Sequence, residues 1–184
     1  MISQDFIRGP VPKLVSLFTL LISLALPPDA YGATVGKIAP SFITKNQDGK
    51  VIDLQTYIGK NPILLYFYPK DDTPGCTKEA CQFRDKFEAF KKTGAVIFGI
   101  SRQGIQSHKD FTGKYHIPFD LLTDESGAIA KMYGIESYPV VGFLKRESVL
   151  IGKNGKILKY YQNVNPETHP AEVLKDLAPS TAKQ

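Results

Sequence analysis

The chain has 184 residues, 42% of them hydrophobic and 22% charged, with a formal net charge of +5. That size and composition suit one globular domain with a single core and leave little room for a second. Its basic residues are dispersed, with pairs such as Lys91-Lys92 and Lys145-Arg146 but no longer block, so nucleic-acid binding is not expected and solvated surface accounts for the charge.

Residues 14–26 form an uncharged apolar stretch preceded by Arg8 and Lys13 and ended by Pro27 and Pro28. The stretch is shorter than the roughly 20 residues that span a bilayer and suits the apolar centre of an export signal. Small residues around Gly32 offer a cleavage site, and the expected division is an export signal over 1–32 and one folded domain over 33–184. An uncleaved membrane anchor is the alternative, and in that case the N-terminal segment is the only part expected at a membrane. No Cys follows the apolar run, which excludes a lipoprotein anchor. The periplasm is the expected compartment, with the thylakoid lumen or membrane anchoring as alternatives.

Downstream, residues 42–45 and 51–54 flank Asp48-Gly49 and predict a hairpin, because Gly tolerates the positive φ of such turns. Residues 63–68 are a continuous apolar and aromatic run, suited to a central strand buried on both faces. Between 77 and 92 there is no Pro or Gly, and Ala80, Phe83, Phe87 and Phe90 recur at helical spacing, predicting one amphipathic helix stopped by Gly94. A buried strand at 95–101, a helix at 106–115, a short strand at 118–122 and a short helix at 127–133 follow. Residues 148–151 and 156–161 flank Asn154-Gly155, a second hairpin signal, and a helix over 166–177 closes the pattern. Strands alternating with helices imply crossover connections and a mostly parallel arrangement in that half. The order is that of an α/β protein and resembles a thioredoxin-like fold, a central mixed sheet flanked by helices, with an added N-terminal β-hairpin.

There are two cysteines, Cys76 and Cys81. In an exported chain they are either a staple or a redox pair, and composition does not decide between these. Their neighbours do. Cys76 falls where the central strand gives way to the helix, so its sulfur meets unsatisfied N–H groups and the positive end of the helix dipole, which favour thiolate. Thr73, three residues earlier, reads alone as a capping residue, but its register with Cys76 places a hydroxyl near the sulfur. Gly75 allows close backbone approach.

Pro69, Thr73 and Cys76 satisfy Pro-x-x-x-Thr-x-x-Cys, and over this stretch the chain closely resembles the peroxiredoxin family. Residues 68–85 resemble its bacterioferritin comigratory protein or peroxiredoxin Q branch. The likeness runs from about Gly36 to Leu177, through Gly99, Ser101, Ser107-His108, Asp124, Tyr133-Gly134 and His169. It implies a peroxidase that reduces hydrogen peroxide and organic hydroperoxides, with Cys76 as the peroxidatic sulfur and Cys81 as the resolving one. The resemblance further implies a thioredoxin-type dithiol reductant, a monomer, and Arg146 as the active-site cation. Pro69 and Gly75 are supporting residues. Two features depart from the branch: Gly152 stands where Asp is common, and Glu147 adjoins Arg146 as a competitor for its guanidinium, with Lys145 as a rival cation.

Residues five apart on an ideal helix lie roughly 8 to 9 Å apart between Cα atoms, beyond the roughly 7 Å limit for a disulfide. A Cys76–Cys81 bond therefore requires the helix to unwind around residues 76–84. His108 and His169 are expected to make structural hydrogen bonds, and Arg84 and Asp85 rim ion pairs. No cofactor is expected, since phosphate loops of the Gly-x-x-x-x-Gly-Lys and Gly-x-Gly-x-x-Gly types are lacking. The His and Cys spacing does not suit zinc. Two competing functions are a thiol-disulfide carrier, which uses two residues between its cysteines where this chain has four, and an exported binding module stapled by a disulfide.

Overall fold

A computed structural model describes residues 34–178; the proposed export signal over 1–32 lies outside the described residues. Strands β1 (Ile43–Lys45) and β2 (Val51–Asp53) pair antiparallel as a small sheet of their own. A short 3-10 turn, Leu54–Thr56, leads to β3 (Ile63–Phe67), then α1 (Pro74–Asp85), α2 (Phe87–Thr93), β4 (Val96–Ser101) and α3 (Ile105–Tyr115). There follow β5 (Asp120–Thr123), α4 (Ala128–Met132), β6 (Glu147–Ile151), β7 (Ile157–Tyr161) and α5 (His169–Leu177).

The main sheet has five strands in the order β5-β4-β3-β6-β7. Its β3–β4 and β4–β5 pairs are parallel, and its β3–β6 and β6–β7 pairs antiparallel. The expected thioredoxin-like mixed sheet with an added hairpin is thus the observed architecture. β3 is central because all five of its side chains are aliphatic or aromatic and both faces are covered. Alternation splits them: Leu64 and Tyr66 join Ala80 and Phe83 of α1, Phe90 of α2, Phe111 of α3 and Val173 of α5. Ile63, Leu65 and Phe67 face the hairpin residues Phe42, Ile52 and Leu54 and α4 on the other side. Each large side chain so buried contributes about 1.5–3 kcal/mol.

The hairpin turns fall where predicted, with Gly49 and Gly155 at φ of 75° and 77°, the left-handed region that glycine enters without a Cβ clash. The expected single helix over 77–92 is instead two. It starts earlier, at Pro74, whose missing N–H costs nothing in a first turn. It then breaks at Lys86, which has φ −103° and ψ 7°. No Gly or Pro marks that break; the cause is tertiary, because Phe83 and Phe87 both pack on Phe119 while Phe90 packs on Phe83. Gly94 ends α2 in the left-handed conformation, as expected. The closing helix starts at His169 rather than at 166.

Candidate active site

Pairing in the sheet places the parts. β3 delivers the chain into the loop 69–73, and Pro69, lacking an N–H, follows the last ladder bond, from Tyr68 N to the Ile100 carbonyl. Thr73 is the N-cap of α1 in extended backbone. The first helical bond there runs from Thr77 N to Thr73 O at 2.8 Å, so the N–H groups of Gly75 and Cys76 have no intrahelical acceptor. Cys76 sits in this first turn and is only 2% exposed.

Register also supplies the cation. Glu147 pairs with Phe67 across β6 and β3, so Arg146 stands beside the exit of β3. Its Nη2 lies 3.1 Å from Cys76 Sγ. A Cβ on Gly75 would come within 3.2 Å of that Nη2, which is why the smallest residue precedes the cysteine. The second guanidinium nitrogen, Nη1, donates to Oε2 of Glu79, a fully buried carboxyl one turn beyond Cys76 on α1. Burial raises the Glu79 carboxyl to about 7, against the opposing pull of Arg146. Burial opposes the charge on Arg146 too, yet Glu79 and Cys76 together leave its pKa raised. Sequence reasoning missed Glu79. The signal available was its spacing, since a residue three positions on shares the helix face of Cys76.

Glu147 does not compete for Arg146. Its carboxyl accepts from the Tyr160 hydroxyl on the other side of the strand, and Lys145 pairs with Glu136. The Thr73 hydroxyl donates to the Lys70 carbonyl at 3.0 Å, so its proton is engaged within the loop. Cys81 is half-buried further along α1, and both thiols are free. Arg84 bonds Asp85 and the Tyr115 carbonyl, the expected rim arrangement.

Behind the loop, Asp71 is buried and accepts from Tyr68 Oη at 2.7 Å, Ser107 Oγ at 2.6 Å and His108 Nδ1 at 2.9 Å. Burial pushes its carboxyl up, but those bonds outweigh it and leave the pKa lowered. His108 also reaches the Leu122 carbonyl at 3.2 Å, so α3 and β5 both hold the loop through it. His169 Nε2 meets Ser148 Oγ at 2.9 Å, and its ring packs edge-on to Phe83 and Tyr161. Burial drops its pKa to about 4, so it is neutral near pH 7. Both histidines are hydrogen-bonded scaffolding, as expected.

A polar cavity of about 870 Å³ opens beside Arg146, walled by Tyr133, Tyr138, Glu147 and Tyr160. Arg146 forms part of its wall and Cys76 does not. The arrangement presents a sulfur at a helix start with one guanidinium nitrogen on it and the other on Glu79, a setting suited to an anionic nucleophile.

Residues 35–160 match the AhpC/TSA family. The chain is 45% identical over 141 residues to a chloroplastic peroxiredoxin Q of Triticum aestivum, covering 76% of this chain and 64% of that protein. It therefore spans less than two thirds of the wheat relative's length. To the chloroplastic peroxiredoxin Q of Sedum lineare it is 45% identical over 143 residues, covering 77% and 76% of the two chains. The crystal structure of the peroxidoxin BcpB from Mycobacterium tuberculosis superposes with a TM-score of 0.74 at 28% identity, covering 79% of this chain and 96% of that one.

Proposed function

Because the chain belongs to the AhpC/TSA family, and within it to the peroxiredoxin Q branch, we propose that it is a thiol-dependent peroxidase acting through Cys76 on hydrogen peroxide and organic hydroperoxides. The observation that carries this reading is the 3.1 Å contact between Arg146 Nη2 and the buried Cys76 Sγ at the start of α1. A thiolate there attacks one peroxide oxygen; the S–O bond forms, the O–O bond breaks, and the remaining oxygen leaves with the electron pair and takes a proton. In this reading Arg146 and the N–H groups of the first turn stabilise the negative charge as it passes from sulfur to oxygen. Thr73 contributes its hydroxyl oxygen, and Pro69 and Gly75 shape the loop and make room for the guanidinium.

Cys76 sulfenic acid then condenses with the Cys81 thiol, releasing water and forming a disulfide. Both residues lie within α1, and helix geometry sets their Cα atoms roughly 8 to 9 Å apart. The first turns must therefore unwind before the sulfurs join. An external dithiol of the thioredoxin type restores both thiols. In this reading the folded domain over 33–184 acts as a monomer after export directed by residues 1–32, and mass spectrometry of the mature N-terminus tests the cleavage.

Replacing Cys76 by Ser is expected to abolish peroxide turnover. Cys81→Ser is expected to leave one stoichiometric oxidation and a sulfenic acid that a sulfenic-acid-specific alkylating reagent traps on Cys76. Turnover by the Cys76→Ser protein would overturn the assignment.

A further inference from the structure

Two acids, Cys76 and Glu79, stand one turn apart on α1, exposed by 2% and 0%. One cation serves both, because Arg146 forks, Nη1 to Glu79 Oε2 and Nη2 to Cys76 Sγ. No other cation bonds either acid among the described residues. The second carboxyl oxygen of Glu79, Oε1, is buried with no hydrogen-bond partner, which burdens an anion far more than a neutral acid.

The surroundings offer no further charge compensation. From β3, the buried Tyr66 hydroxyl has no partner, and burial with the Glu79 and Cys76 charges keeps it un-ionised. Asp71 is committed to His108, and His169 of α5 is neutral. Two buried anions against Arg146 would leave an uncompensated charge, whereas one anion leaves none.

We propose that Cys76 and Glu79 share a single proton against Arg146, so that Glu79 is the neutral acid while Cys76 is thiolate and yields its proton as the sulfur is oxidised. The inference rests on Cys76 being the peroxidatic sulfur. In the step, thiolate, carboxylic acid and hydroperoxide become sulfenic acid, carboxylate and alcohol, or water from hydrogen peroxide. The S–O bond forms and the O–O bond breaks; sulfur loses two electrons to the peroxide, and the departing oxygen takes the Glu79 proton, directly or through one water. Arg146 faces one anion before the step and one after it. The site's buried charge therefore does not change as the nucleophile is consumed, and a carboxyl lifted to about 7 is poised for such an exchange.

Infrared difference spectroscopy of the reduced full-length protein at neutral pH is expected to show a protonated carboxyl band that is lost on addition of one equivalent of hydrogen peroxide, and lost equally in Cys81→Ser, where no disulfide unwinds α1. Glu79→Gln is expected to lack that band and to oxidise at Cys76 roughly a hundredfold more slowly. Its oxidation rate is also expected to lose the decline at alkaline pH that the wild type shows as the shared proton departs. Absence of the band in wild-type protein, or a Glu79→Gln variant with the wild-type rate and pH profile, overturns the proposal while leaving Cys76 as the peroxidatic sulfur. Failure of peroxide to oxidise Cys76 in the wild type overturns both. The wild-type and Cys81→Ser spectra decide the matter even if Glu79→Gln does not fold, and a band kept in oxidised Cys81→Ser overturns the proposal.

Discussion

Gly75→Ala separates stability from activity at one position. Gly75 lies in the first turn of α1 without a positive φ. An Ala there should favour the folded state by about 0.4–1 kcal/mol, through a less flexible unfolded chain. The new Cβ, however, meets Arg146 Nη2 at 3.2 Å and Cζ at 3.9 Å, with Pro166 Cγ at 4.0 Å. The guanidinium is the part that can give, and it moves off a sulfur that it now holds at 3.1 Å. A hydrogen bond to a charged group contributes about 1.5–3 kcal/mol, so its loss from the transition state slows oxidation roughly ten- to a hundredfold. Thermal unfolding together with stopped-flow oxidation of Cys76 reads both quantities. A variant that unfolds no earlier than wild type but reacts more slowly fits the reasoning; wild-type oxidation by the Ala variant refutes it.

Three more outcomes are expected. The folded-state pKa of Glu79, about 7, exceeds its ordinary 4.5, so its contribution of roughly 3 kcal/mol is present below pH 4.5 and lost as pH rises through 7. His169, at about 4 against an ordinary 6.5, contributes a similar amount above pH 6.5 that is lost as pH falls towards 4. The two offset each other in wild type, so urea unfolding should show stability rising from pH 4 to 6.5 in Glu79→Gln and falling from pH 4.5 to 7 in His169→Gln; parallel profiles for the two variants would contradict this. Gly99→Ala places a Cβ 2.5 Å from Leu121 Cδ2 and 2.7 Å from the Tyr66 ring, and should destabilise by about 1–3 kcal/mol in chemical denaturation. Hydrogen exchange of residues 76–84 should show protection in the dithiol protein and its loss in the disulfide form, and equal protection in both would count against the unwinding of α1.

The sequence made the sheet legible because its signals were local. The apolar run of β3 and the Asp-Gly and Asn-Gly turns each dictate a backbone state without help from distant residues. The break at Lys86 was not legible, since it answers to Phe119, brought alongside by β5. At the site, helix-terminus physics favoured a thiolate at Cys76, and the Pro69, Thr73 and Cys76 spacing implied its role through resemblance. Arg146 came from resemblance, and only the β3–β6 register explains why it reaches the sulfur. Glu79 stayed hidden because a Glu on an amphipathic helix reads as solvated surface. Its partner, Arg146, lies just before β6, far along the chain.

The account depends on Cys76 being held as a reactive anion by Arg146. Its most direct test is the second-order rate of Cys76 oxidation by hydrogen peroxide in the Cys81→Ser protein, followed at neutral pH with Arg146 present and with Arg146→Gln. A rate orders of magnitude above that of free cysteine, falling steeply in the Arg146 variant, is the expected result. A rate equal to free cysteine's, or one indifferent to Arg146, would contradict it.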